Sequence, residues 1–153
     1  MGQGDQFVPH LIVSDGMAAL KFYKEVFGAE EGHNMMAPDG KRLMHGELIL
    51  NGHKLFISDE FRPEEGGACK TPQTLGGTSV RVTLMTDEPD AVVERAVARG
   101  AKVIMPVQDM FWGARYGQFV DPFGHNWGVN QQLREQTAEE TEQAAGEFFE
   151  KRK

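Results

Sequence analysis

Apolar positions along the chain follow two periods, strand-like alternation and helical recurrence, and these appear in the same order twice. Residues 7–13 (FVPHLIV) are a short apolar, β-branched run and predict a strand. Asp15 is placed to cap a helix, in which Leu20, Tyr23, Val26 and Phe27 recur at helical spacing until Gly28 ends the run. A strand is expected over 30–36, and Pro38-Asp39-Gly40 marks a turn. Over 42–50 (RLMHGELIL) alternation puts Met44, Leu48 and Leu50 on one face and His45, Glu47 and Ile49 on the other. Asn51-Gly52 is a two-residue hairpin signal, with 54–58 as the returning strand.

Residues 61–77 (FRPEEGGACKTPQTLGG) are rich in Pro and Gly, carry no period and read as a linker. The order then repeats. Residues 79–85 set Val80, Val82 and Leu84 against Arg81, Thr83 and Met85. Asp87-Glu88-Pro89 opens a helix over 91–99, which closes at Gly100. Strands are expected at 102–107, 116–121 and 126–131, with Pro122-Phe123-Gly124 as a turn and Trp127 alternating with Val129 toward the core. The organisation is therefore βαβββ, linker, βαβββ: an α+β fold in which each helix covers one sheet face and leaves the other concave. Residues 137–153 hold Thr141, Ala144, Ala145, Phe148 and Phe149 at helical spacing, and are either a helical tail docked on the domain or a partner, or a solvated end.

The length of 153 residues, with 40% hydrophobic and 25% charged, fits one compact domain. Its expected bounds are 1–136, with module one at 7–60, linker 61–77 and module two at 78–131, followed by the tail 137–153. No apolar stretch reaches the roughly eighteen residues of a membrane span. The opening MGQGDQFVPH lacks a basic segment followed by an apolar one, so no secretory signal and a cytoplasmic location are expected. Cys69 is the single cysteine, which excludes an intrachain disulfide and a Cys-based zinc site. The net charge of −7 is the wrong balance for a phosphate backbone, so neither nucleic acid nor an anionic membrane is an expected partner. Ser14, Ser58 and Ser79 lack the glycine-flanked elbow of a serine hydrolase, and no glycine-rich phosphate loop is present.

Three segments carry a family resemblance: VPHLIVSDGMAALKFYKEVFGAE (8–30), LMHGELILNGHKLFISDE (43–60) and FWGARYGQFVDPFGHNWGV (111–129). With the helix AVVERAVARGAKV (91–103) they span nearly the whole chain to residue 129. The sequence resembles the vicinal oxygen chelate (glyoxalase/bleomycin resistance/dioxygenase) superfamily, in particular its PhnB-like branch. The resemblance implies two βαβββ modules cupped as mixed sheet around a cavity, with frequent homodimers and sites built between modules. It also implies a divalent metal held by inward His, Glu or Gln, polarising a chelating substrate as a Lewis acid. Three of the four ligand positions it implies fall on Val8, Arg81 and Gly128. None can ligate a cation: Val and Gly offer no side-chain donor, and Arg is itself a permanent cation. The fourth position, on the strand over 54–58, is not fixed to one residue. No cofactor is therefore expected.

Other residues offer alternatives. His10, His45 and Glu47 are a two-His-one-carboxylate set if their strands converge, or else hydrogen-bonded polar residues of a half-buried sheet. Arg81, with Thr83 one step along, is either a clamp for a ligand carboxylate or phosphonate or one half of an ion pair with Glu47 or another acid. Asn126 and Asn130 flank Gly128 and hydrogen-bond a ligand or a loop, while Gly128 itself leaves space for a wider cavity. Phe111 and Trp112 either stack a planar ligand at the cleft mouth or wedge the domain edge. His33, His53 and His125 fall in or near turns, where solvation is expected. Three functions follow: a metal-independent small-molecule-binding protein, a lyase, isomerase or dioxygenase with a displaced metal on His10, His45 and Glu47, or an interaction scaffold using its tail.

Overall fold

The structure, a computed structural model, describes residues 7–153; the N-terminal part of the leader reading and of the expected domain, residues 1–6, lies outside them. In chain order the elements are β1 (His10–Val13), α1 (Gly16–Phe27), β2 (Glu30–Met36), β3 (Leu43–Leu50), β4 (His53–Asp59), α2 (Pro72–Leu75), β5 (Arg81–Met85), α3 (Pro89–Ala98), β6 (Lys102–Asp109), β7 (Ala114–Val120), β8 (Asn126–Gln132) and α4 (Ala138–Glu150). They form two four-stranded mixed sheets, ordered β1-β4-β3-β2 and β5-β8-β7-β6. In each, the first strand runs parallel to the last, and the remaining pairs are antiparallel. This is the twice-repeated βαβββ arrangement with a C-terminal helix. No helix among the described residues is long and apolar enough to cross a membrane.

Local chemistry sets the element ends. Asp15 caps α1 by accepting the Ala18 amide at 3.1 Å, and Gly28 takes the left-handed conformation (φ 72°) that ends it. Asn51 and Gly52 both have positive φ (52° and 81°), as a two-residue hairpin loop demands. The buried Asp59 carboxylate accepts the amides of Gly16 at 3.1 Å and Leu43 at 2.7 Å, tying the end of β4 to the starts of α1 and β3.

One apolar core unites the two halves. Leu11, Val13, Leu48, Leu55 and Ile57 face α1, and Phe119, Trp127 and Val129 join Val92, Val93 and Ala96 of α3 in the same cluster. Tyr23 and Phe27 of α1 reach across to Trp127, with ring centroids 5.4 and 4.6 Å apart. The Tyr23 hydroxyl donates to the buried Asp121, which also accepts Trp127 Nε1 at 2.9 Å and the amides of Phe123 and His125. Arg95 donates to the Val26 carbonyl at 2.9 Å, and Arg99 pairs with Glu25 at 2.8 Å. The halves therefore join through their helices and helix-facing sheet surfaces.

Several boundaries and faces differ from the sequence expectations. The first strand begins at His10 rather than residue 7, because Pro9 has no amide and only its carbonyl pairs, with the Phe56 amide. Met44 does not share a face with Leu48 and Leu50. Met35 pairs with His45 but Met36 with Leu43, so Met44 is the extra residue of a bulge, 40% exposed. The 61–77 stretch holds a 3-10 turn (Pro63–Glu65) and α2, each closed by a left-handed glycine. Val80 precedes β5 and is exposed. The helix over 91–99 begins earlier, with Pro89 in its first turn. His125 is not merely solvated: its Nε2 lies 2.7 Å from the Ile12 carbonyl of the other half. His53 begins β4 rather than a turn.

Candidate functional site

The face of the first sheet away from α1 collects polar and aromatic side chains. The β1–β4 register sets His10 beside Phe56 and Ile12 beside Ser58, while β3 sets Glu47 beside Phe56. His10 and His45 meet edge to face with centroids 6.1 Å apart, and both rings contact Phe56. His10 Nε2 is 3.0 Å from Ser58 Oγ. Burial, and secondarily the neighbouring His45, lowers the His10 pKa from its ordinary 6.5 and favours the neutral ring. Glu47 sits 3.2 Å from His45 Nε2 and 3.6 Å from Lys54 Nζ; the His45 hydrogen bond, aided by Lys54, holds its carboxyl below the usual range.

A cavity of about 690 Å³ opens beside this face, within the size range of small-molecule pockets. His10 and Ser58 supply part of its polar edge, with Asp39, Arg42, Asp59 and Glu65 also on the rim; Ile12, Met44 and Phe61 supply apolar wall. Of these, sequence reasoning named His10 and missed the rest, Ser58, Ile12, Met44 and Phe61 among them. Met44 reaches the cavity only because of the β3 bulge, and Phe61 belongs to the aperiodic 61–77 stretch. Arg42 holds that stretch in place, lying 4.4 Å over the Phe61 ring and bonding Glu65 through both terminal nitrogens; these bonds keep the Glu65 carboxyl at about 2.

The second sheet presents Arg81, Thr83, Asn126, Asn130, Tyr116 and Gln118 on its corresponding face. Arg81 makes no ion pair with Glu47. Its Nε donates to Asn126 Oδ1 and one terminal nitrogen to the Tyr116 hydroxyl, each at 3.4 Å. Gly128 does not widen the cavity either: a Cβ there would stand 2.9 Å from the Tyr116 hydroxyl and 3.1 Å from Thr83 Oγ1, so those groups fill the room. Asn130 flanks Gly128 on β8, and its Nδ2 faces the Met85 sulfur at 3.6 Å.

Phe111 and Trp112 contact each other edge to face at 4.9 Å and divide their roles. Phe111 packs on Phe148 of α4 at 4.8 Å, docking the terminal helix, whereas Trp112 meets Tyr116 at 5.7 Å, beside Arg81. The hydrogen bonds and ring contacts described for the two sheet faces each join residues of one half.

Three of the four positions at which the resemblance implies metal ligands are occupied by Val8, Arg81 and Gly128, which do not fit a cation. His10, His45 and Glu47 do share one face. Even so, no group of three or more His, Cys, Asp or Glu able to hold a metal is gathered among the described residues.

Known proteins bear on the same fold. The model of the Glyoxalase/Bleomycin resistance protein/Dioxygenase superfamily matches residues 5–129. The uncharacterised Mycobacterium bovis protein Mb0911c is 40% identical over 136 residues, covering 89% of each chain. The crystal structure of TioX from Micromonospora sp. ML1 superposes with a TM-score of 0.66 at 27% identity, covering 85% of this chain and 100% of that one. The PhnB protein of Bacillus cereus shares the fold at 20% identity, TM-score 0.61, over 83% of this chain and 99% of that one. The chain belongs to the Glyoxalase/Bleomycin resistance protein/Dioxygenase superfamily.

Proposed function

We propose that this protein binds a small molecule on its concave sheet faces without the metal that the resemblance implies, and belongs to the PhnB-like branch. The observation that carries this reading is the 690 Å³ cavity edged by His10 and Ser58, set against ligand positions occupied by Val8, Arg81 and Gly128. The apolar wall supplies contact area for a ligand and the polar rim orients it by hydrogen bonds. The reading includes a homodimer, because the two faces have their partners in separate halves and a second copy would cover them. A cytoplasmic location goes with it.

A metal-dependent lyase, isomerase or dioxygenase is the second reading, favoured by the convergence of His10, His45 and Glu47 on one face. Thermal unfolding with and without Zn²⁺, Ni²⁺, Mn²⁺ and Fe²⁺ separates the two. The first reading expects no metal-specific rise in melting temperature. A saturable rise that His45→Ala abolishes would overturn it in favour of the second.

A further inference from the structure

We infer that the Arg81 face is a carboxylate-recognition site for a planar aromatic acid. The inference rests on the reading that the concave faces hold a small molecule, and it names the class. Arg42, Arg62, Arg95, Arg99 and Arg115 each pair with a carboxylate, as expected in a chain of net charge −7. Arg81, like Arg134 and Arg152, pairs with no carboxylate among the described residues, and of these three it is the one on a strand, β5. Its hydrogen-bond partners, Asn126 and Tyr116, are neutral and accept at 3.4 Å, so the guanidinium keeps its full charge and most of its five N–H donors.

The surroundings supply the rest of an anion site. The Tyr116 hydroxyl accepts from Arg81 and, at 3.2 Å, from Gln118 Nε2. Two accepted bonds leave its own proton to donate, and no acceptor for it stands among the described residues. A carboxylate that takes an N–H of Arg81 with one oxygen and the Tyr116 O–H with the other satisfies both. Tyr116 reaches this position only because position 128 is glycine: a Cβ there would press on its hydroxyl and ring at 2.9 and 3.1 Å. Trp112, 5.7 Å from the Tyr116 ring, adds an aromatic wall for a flat ligand body. The acidic net charge of the chain favours cations at long range. At contact distance the unpaired guanidinium decides.

The test is calorimetric titration of the full chain with 2-naphthoate, its neutral amide 2-naphthamide, and the cationic 2-naphthylmethylamine. The expected result is naphthoate binding about tenfold or more tighter than the amide, the scale of one charge-assisted contact. Arg81→Gln should erase that preference and Tyr116→Phe reduce it, while Trp112→Leu weakens both probes together. Arg81 is exposed, so its replacement leaves the core intact. Equal affinity for acid and amide, preference for the amine, or naphthoate binding unchanged in Arg81→Gln would each overturn the inference while leaving a binding cleft standing. Failure of all three probes to bind overturns the inference too. A broad neutral-ligand panel that also fails to stabilise the protein would then remove the cleft reading itself.

Discussion

His10 shows how a residue acquires chemistry from its neighbours. A histidine on a strand is an ordinary polar residue, but here one side of it rests against His45, Phe56 and Ser58. Its folded pKa lies below 6.5, so in the window just below pH 6.5 the unfolded chain binds this proton more readily than the folded one. The contribution of His10 to stability is thus fully present above pH 6.5 and is lost as pH falls through the lowered value. Urea unfolding at pH 5 and pH 7 should show a smaller stability difference in His10→Asn than in the native chain. An identical difference would remove His10 from the explanation. The alternation of the sequence identified His10, His45 and Glu47 as sharing a face. It did not identify Ser58 as a partner or predict Arg81 with neutral companions, because alternation assigns a face and says nothing about which side chain of another strand lies within 3 Å.

At the scale of elements, the first sheet is pinned to α1 by a carboxylate and a glycine. Asp59 receives the amides that open α1 and β3, and Gly16 packs against both. A Cβ on Gly16 would stand 2.6 Å from Asp59 Oδ2 and 2.6 Å from Leu43 Cβ, so the change demands movement of buried groups. Gly16→Ala should cost about 1–3 kcal/mol of stability by overpacking, despite alanine's better helix propensity. Denaturant titration checks the sign: a more stable Gly16→Ala would mean the seam is loose. The helices and hairpin were legible because their signals are local: Asp15 and Gly28 at the ends of α1, and Asn51-Gly52 between β3 and β4. Met44 was not, because one bulge residue reverses the parity on which a face assignment depends.

For the whole molecule, the joint between the halves is a buried polar centre inside an aromatic core. Tyr23 lies wholly buried, and burial, reinforced by Asp121, pushes its pKa well above 10, so it remains a donor at neutral pH. Tyr23→Phe would leave Asp121 its bonds from Trp127, Phe123 and His125 but remove the one from α1. The expected loss is about 1.5–3 kcal/mol, as for a hydrogen bond to a charged group, read from urea unfolding that stays a single transition. Two transitions in the native chain would show that the halves are independent. Periodicity and turn chemistry in this sequence determined the order βαβββ twice over and the helix-facing apolar set, while the placing of Val8, Arg81 and Gly128 at implied ligand positions came from the family resemblance. Tertiary structure alone decided that the halves meet through α1, α3 and Asp121, that Tyr116 fills the room left at Gly128, and that Met44 and Phe61 wall the cavity. Those outcomes depend on register, bulges and packing between segments far apart in the chain, and a local pattern of apolar and polar positions carries no term for distance across a fold.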